Sequence, residues 1–546
     1  MGTIAWSEPN SNGLMMPRGM TDLPSNFPSS VNQVLSLGLQ LCPDADAVVG
    51  PHSRLTYRLL DEAAARVASA FRSLGVKPGD RVGASLENGP ETVAAFLGAL
   101  RAGAIWVGIN RGLAPAEKAM IIEDADVCLW LADEKSAREL QDHRAGGAHG
   151  LKIVSTSPSD PTDEWKALLE TSTPLESSVR SSPESPAAMA YTSGTTGRPK
   201  GVVHSHRNLL LPGAVRALWG RRGDDRVGVS LPLTILNLMI LGPLAAFQRA
   251  TTCVVMNRVD AKGIAEWVHS ESVTSLAIVP TTVFDLVSDL TITPEDLASL
   301  LDPVVGGASV PAGLGKRFEE KFGSRLTRSY GLTEAPTAVA MTADDSSNDE
   351  GSSGRPLDHV VISVCSPEGD ELAPLEVGEI CIGPRADGPW AGMYSPMLGY
   401  WRRPEETRSA HRYGLLWTGD LGYLTDGGQL YVTARKSDVI VRGGAKVYPA
   451  EIERVLNACP GVAGSLVLGL PDERLGERIV AAVEFGDRVA PSHEQLREAC
   501  RLSLARFKVP EEFLVLSCLP RNAMGKVNKR DVLGLLEDEI RSRTYG

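Results

Sequence analysis

The chain has 546 residues, well beyond the ~100–150 residues of a typical single domain, so more than one core is expected. Hydrophobic residues at 43% and charged residues at 22% exclude a wholly disordered, collagen-like or coiled-coil chain. With 55 basic and 67 acidic residues the net charge is −12, which offers no long-range attraction to phosphate backbones or anionic lipid and argues against nucleic acid as the main partner.

In chain order, the N-terminal MGTIAWSEPNSNGLMMPRGM has no uninterrupted apolar stretch behind a basic start, and Trp6 stands where a myristoylation pattern needs Ser or Thr, so a cytoplasmic protein is expected. Helical apolar spacing over 61–74 and 91–102 alternates with β-type runs at 81–86 and 104–109, the pattern of a parallel sheet covered by helices. Further strands are predicted at 151–155, 251–256 and 275–279. Segments 155–186, rich in Ser, Pro and Thr, and 342–354, rich in Ser and Asp, read as surface loops. The uncharged stretch 227–248 contains Pro232, Asn237, Gly242 and Pro243 and reads as buried structure rather than a membrane span. From Gly428 the texture becomes two β-like runs followed by a helix starting at Pro449, with Glu451 and Glu453 in its first turn. A boundary at 434–438 leaves a small α+β unit behind it. The 8 cysteines form no C-x-x-C pair or metal-type spacing with histidine and read as reduced thiols.

The run from Tyr191 to Gly201, YTSGTTGRPKG, holds the hydroxyls of Thr192, Ser193, Thr195 and Thr196, glycines including Gly194, and Lys200. Such a loop can wrap phosphate oxygens: glycines turn backbone N–H groups inward, hydroxyls add donors, and lysine neutralises charge. It is not a Walker loop, and composition alone leaves a mobile surface turn open. Downstream stand SYGLTE at 329–334, YGLLWTGD at 413–420, RKSDVIVRGG at 435–444, YPAEIE at 448–453 and NAMGKV at 522–527.

These motifs, in this order, resemble the adenylate-forming superfamily of acyl-CoA synthetases, nonribosomal-peptide adenylation domains and firefly-type luciferases. The resemblance implies an α/β fold: a large N-terminal domain, 1–434, of two doubly wound αβ subdomains plus a small distorted β-barrel, a hinge at 435–438 with Ser437 at its centre, and a small mobile α+β domain, 439–546. It places adenine and the acyl group against Gly306, Gly307 and Ala308, with Ser329, Tyr330 and Gly331 beside them. Tyr330 can stack on adenine, Thr333 can hydrogen-bond the α-phosphate, and Glu334 can hold Mg²⁺ as a hard oxygen ligand. Asp420 offers two acceptor oxygens to the ribose hydroxyls and Arg435 a fork of donors. Lys526 acts as the clamp over carboxylate and α-phosphate, where fixed positive charge stabilises the transition state. Gly443 and Gly444 line the channel of the incoming thiol. Ala434 departs from the glycine usual at that position, and the stretch 385–394 is longer than is usual in the family. Taken singly, Thr333 can equally cap a helix, Asp420 occupy a solvated glycine turn, and Gly443 and Gly444 form a hairpin turn.

No acidic residue lies between Asp225 and Asp260, so the expected acyl pocket offers no carboxylate to an α-amino group. Ile235, Leu236, Asn237 and Met239, together with Gly306 and Thr337, give it an aliphatic lining suited to a bulky hydrophobic acid, fatty, alicyclic, terpenoid or polyketide-type, although the same residues can be core. The expected activity is ATP- and Mg²⁺-dependent formation of acyl-AMP from a small-molecule acid, followed by thioester formation with coenzyme A. The alternatives are adenylation with transfer to an acyl carrier protein or a partner acyltransferase, and a non-catalytic nucleotide-binding protein. The short tail after Lys526 implies a freestanding enzyme.

Overall fold

The strand Arg81–Ser85 is buried almost throughout, as a central strand covered on both faces must be. It lies between two parallel neighbours, Ile105–Gly108 and Val127–Asp133. The structure is a computed structural model that describes residues 2–143, 150–156, 163–192, 199–217, 225–308, 310, 313–342, 351–442, 445–472, 474–485, 489–521 and 527–545. Around Arg81–Ser85 grows a seven-stranded sheet whose last three strands are Pro186–Thr192, Lys200–Ser205 and Gly399–Tyr400, the final two pairings being antiparallel. The helix Tyr57–Ser73 starts at Thr56, whose side chain accepts a hydrogen bond from the Leu59 amide. Its buried face, Leu60, Ala64, Val67, Ala68 and Phe71, packs on the helix Pro90–Arg101.

A nine-stranded sheet forms the second layer system. Its centre, Asp46–Val49, Thr252–Val255, Arg226–Val229, Ser275–Ile278, Asp302–Val305 and Thr327–Leu332, is parallel, and antiparallel strands close both edges. The expected small barrel is an open five-stranded antiparallel sheet, a half-barrel built on Gly378–Pro384 and Leu415–Leu424. Its strand Leu430–Arg435 leads through one 3-10 turn, Lys436–Asp438, into Ile440–Arg442, the first strand of a separate five-stranded sheet. That last sheet has its own core, with Ile452, Leu456, Ile479, Leu496 and Phe513. Among the described residues no helix is long and apolar enough to cross a membrane.

Two expectations change. Segment 155–186 contains the helix Glu164–Thr171, capped by Asp163, which accepts hydrogen bonds from the amides of Trp165 and Lys166. The buried Trp165 then stacks on Phe71 with ring centroids 5.4 Å apart. The helix Pro449–Asn457 begins at proline as expected, but only Glu451 falls in its first turn. The longer stretch 385–394 is a packing element. Trp390, Met393 and Tyr394 enter the half-barrel core, and the Gly392 carbonyl accepts from the Thr21 amide of the N-terminal arm at 3.0 Å.

Candidate active site

The antiparallel strands Thr327–Leu332 and Ala335–Met341 are joined by the turn carrying Thr333 and Glu334. The ladder shifts register on both sides of Gly331, and a Cβ there would stand 1.8 Å from the Thr337 carbonyl oxygen, so only glycine lets the strands approach this closely. Thr337 is buried beside this crossing. Gly306 closes the neighbouring strand end against Ser329, whose Oγ would lie 2.5 Å from a Cβ at Gly306. Gly307, at φ +81°, and Ala308 follow it onto an exposed surface.

Tyr330, Asp420 and Arg435, brought together from two strand pairs, meet in one cluster of a hydrogen bond and an ion pair. The Tyr330 hydroxyl donates to Asp420 Oδ2 at 2.7 Å, and Arg435 Nε lies 2.7 Å from Asp420 Oδ1. Asp420 and Arg435 are directly opposite on paired strands. The Asp420 amide donates to Thr418 Oγ1 at 3.0 Å, and that hydroxyl donates to the Ile380 carbonyl at 2.8 Å, fixing the strand beneath the carboxylate. Burial and then the Asp420 charge push the Tyr330 hydroxyl well above its ordinary range, so it stays a donor. Partial burial opposes the Arg435 charge, but Asp420 and Glu334 outweigh it and raise its pKa. A carboxylate has two acceptor oxygens with two lone pairs each, a donor-accepting edge of the kind a vicinal diol needs.

Glu334 lies half-buried, and the Tyr400 hydroxyl donates to its Oε1 at 3.0 Å. Tyr400 sits on the strand Gly399–Tyr400, paired to the strand that begins at Lys200. Lys200 is cross-strand partner to Thr192, at the two ends of the glycine-rich motif. A hard carboxylate beside a lysine and hydroxyl groups fits magnesium, which takes one or two carboxylates and completes its octahedron with phosphate oxygens and water. Among the described residues no cluster of three or more His, Cys, Asp or Glu could cage a metal without such help. Behind the turn, His204 is fully buried beside Thr333 and Asn208, and burial lowers its pKa to about 4, so it is neutral at neutral pH.

The expected acyl residues lie on a continuous helical run: Leu236–Met239, a π-helical turn Ile240–Leu244, and Ala245–Phe247. Leu236 and Met239 are packed into the core with Phe96 and Trp106, whereas Ile235 and Asn237 are half-buried. Sequence reasoning missed Asn88, which fixes the entry to this run. Its Nδ2 donates to the carbonyls of Leu231 and Met256, each at 3.0 Å, and its Oδ1 accepts from the Leu233 amide at 2.9 Å. It also missed Tyr400; a Gly-Tyr pair after an apolar segment was the available signal.

In the 3-10 turn Lys436–Asp438, where the hinge is expected, Ser437 donates to Asp438 Oδ1 at 3.2 Å, Asp438 also pairs with Lys529, and Lys436 reaches Glu379 at 2.9 Å. The half-buried Glu453 accepts from the Val467 amide at 2.9 Å, and burial pushes its pKa up to about 7. Ser193, Gly194, Thr195, Thr196, Gly443, Gly444 and Lys526 lie outside the described residues.

The profile of the AMP-binding enzyme family matches residues 39–401, and that of the AMP-binding enzyme C-terminal domain matches 451–526. A fatty acid–[acyl-carrier-protein] ligase, ScoC, of Streptomyces coeruleorubidus is 30% identical over 525 residues, covering 94% of this chain and 96% of its own length. A long-chain-fatty-acid–CoA ligase of Mycobacterium tuberculosis is 32% identical over 498 residues, covering 89% and 94%. Among solved structures, ATP-bound MatB of Rhodopseudomonas palustris superposes with a TM-score of 0.84 at 27% identity, over 93% of this chain and 99% of its own.

Proposed function

The chain belongs to the AMP-binding enzyme family, as an AMP-forming acid–CoA ligase of the adenylate-forming superfamily, and on that premise we propose that its substrate is a bulky hydrophobic carboxylic acid. The reaction class sets two half-reactions at one site. A carboxylate oxygen of the acid attacks the α-phosphorus of ATP and the bond to pyrophosphate breaks, leaving acyl-AMP. The sulfur of coenzyme A then attacks the acyl carbon, and the bond to AMP breaks.

Each expected site residue has a task in this scheme. Asp420 accepts from the ribose diol, with Tyr330 and Arg435 holding its carboxylate in place. Thr333 donates to the α-phosphate, and Lys200 sets a positive charge against the leaving phosphates. Magnesium, when bound through Glu334, neutralises phosphate charge. Lys526 orients the acid against the α-phosphate, and Ser437 lies at the pivot on which 439–546 turn relative to 1–434. Gly443 and Gly444 border the thiol path.

The observation that carries the acid class is the chemistry of 226–259, which supplies no carboxylate. Leu236 and Met239 of the helical run it contains are core, which leaves the uncharged, half-buried Ile235 and Asn237 to face the acid. An amino acid would leave its ammonium without a partner there, at a cost of several kcal/mol on burial. A second reading, delivery to an acyl carrier protein, is favoured by the 30% identity to a relative named for that acceptor. Incubation with Mg·ATP and a panel of fatty, alicyclic, aromatic and amino acids, with and without coenzyme A, tests both. Acyl-CoA from the bulky apolar acids is the expected product by mass spectrometry. Turnover confined to amino acids contradicts the acid class, and acyl-AMP persisting in the presence of coenzyme A favours the carrier.

A further inference from the structure

We propose that Tyr400 is a positioning residue that keeps Glu334 and Lys200 close yet separately charged, so that one serves the metal and the other the phosphates. The proposal rests on the nucleotide reading above. Glu334 belongs to the nine-stranded sheet system and Lys200 to the seven-stranded one. A single side chain touches both: the Tyr400 hydroxyl donates to Glu334 Oε1 at 3.0 Å, and the Lys200 ammonium lies over the Tyr400 ring, 5.2 Å from its centroid. Glu334 meets the hydroxyl of that side chain and Lys200 its ring face, and among the described residues no ion pair joins the two. Among the described residues, no other side chain hydrogen-bonds to the Glu334 carboxylate.

The chemistry of tyrosine explains the choice. A direct Lys–Glu pair would occupy the carboxylate with an ammonium and spend on each other the two charges a metal–triphosphate complex needs. The negative ring face attracts the ammonium without a hydrogen bond to it, leaving its three N–H donors for phosphate oxygens. The hydroxyl occupies one lone pair of Oε1 and adds no charge.

The ring is held by its backbone on several sides. The Tyr400 amide donates to Thr407 Oγ1 at 2.9 Å, the Trp401 amide to the Gly201 carbonyl at 2.7 Å, and the Met397 amide to the Glu334 carbonyl at 2.8 Å. Residues 397–401 thus fasten both partners to one short segment.

The test is calorimetric titration of the full chain with AMP, metal-free ATP and Mg·ATP, for the wild type, Tyr400→Phe, Tyr400→Leu, Glu334→Gln and the Tyr400→Phe/Glu334→Gln double variant. Tyr400→Phe keeps the ring and loses only the donor. It is expected to lower the Mg²⁺-dependent gain in ATP affinity about tenfold, the size of one hydrogen bond to a charged group, and to leave AMP binding unchanged. In the Glu334→Gln background it should add nothing, because the carboxylate it positions is gone. Tyr400→Leu should in addition weaken metal-free ATP relative to AMP. If the leucine variant does not fold, the phenylalanine variant decides alone.

A Tyr400→Phe protein with the wild-type Mg²⁺ gain overturns the proposal while leaving the nucleotide site standing. So does an equal loss of AMP and Mg·ATP affinity, which marks a merely structural tyrosine. A wild type that binds neither AMP nor Mg·ATP removes the nucleotide reading together with this proposal.

Discussion

The two ends of the candidate site are built by different physics. At the proposed nucleotide end, Asp420 accepts from the Tyr330 hydroxyl at 2.7 Å and pairs with Arg435 at 2.7 Å, and Glu334 accepts from Tyr400 at 3.0 Å, so position is set by charge and directional hydrogen bonds. At the proposed acyl end, the run Leu236–Met239 and its π-helical continuation contain no charged side chain; Leu236 and Met239 are core, and Ile235 and Asn237 are half-buried. Ribose and phosphate are the same in every turnover and reward fixed geometry. A hydrocarbon acid makes non-directional contacts, and a pocket for it can change residue by residue without touching the chemistry.

The largest effect that tests this contrast comes from Lys526→Ala. It should lower acyl-adenylate formation by about 10²–10³-fold, the loss typical of a charge aimed at a transition state, with ATP affinity retained in calorimetry. Normal turnover in that variant removes the clamp role. Asp420→Ala should come next, weakening ATP binding about 10–100-fold because it deletes a charged acceptor and strands Tyr330 and Arg435. Unchanged ATP affinity would show that the ribose lies elsewhere. Asn237→Leu, at the other end, should move kcat/KM among acids of different bulk by up to about tenfold while ATP affinity stays fixed. If ATP affinity moves with acid preference, the two ends are not separable.

The smallest effect lies outside both ends, at Glu453. Its folded pKa of about 7 stands above the ordinary 4.5. The protonated form is therefore favoured in the folded chain, and the linked stability is fully present below about pH 4.5 and is lost as pH rises through 7. Glu453→Gln should flatten that slope in urea-midpoint measurements between pH 5 and 8, and an unaltered slope assigns it to another group.

What could be read before the fold was in hand follows from the range of the interactions. The helices Tyr57–Ser73 and Pro90–Arg101 and the strand Arg81–Ser85 announce themselves because apolar periodicity and caps are local. The helix Glu164–Thr171 hid in a Ser/Pro/Thr-rich stretch because it is short and its one strong anchor, Trp165 on Phe71, is a tertiary contact. Resemblance of motifs pointed to Tyr330, Asp420 and Arg435 one by one. Their convergence on one carboxylate depends on pairing Leu415–Leu424 with Leu430–Arg435 beside the Tyr330 strand, which no local pattern encodes. Tyr400 and Asn88 escaped for the same reason, since each acts through partners distant in sequence.

Exchange of labelled pyrophosphate into ATP, measured with Mg²⁺ and a bulky hydrophobic acid in the absence of coenzyme A, tests acid adenylation most directly. Exchange that requires the acid and falls in Asp420→Ala is the predicted result. Exchange indifferent to the acid, or release of ADP and phosphate in place of AMP and pyrophosphate, would contradict it.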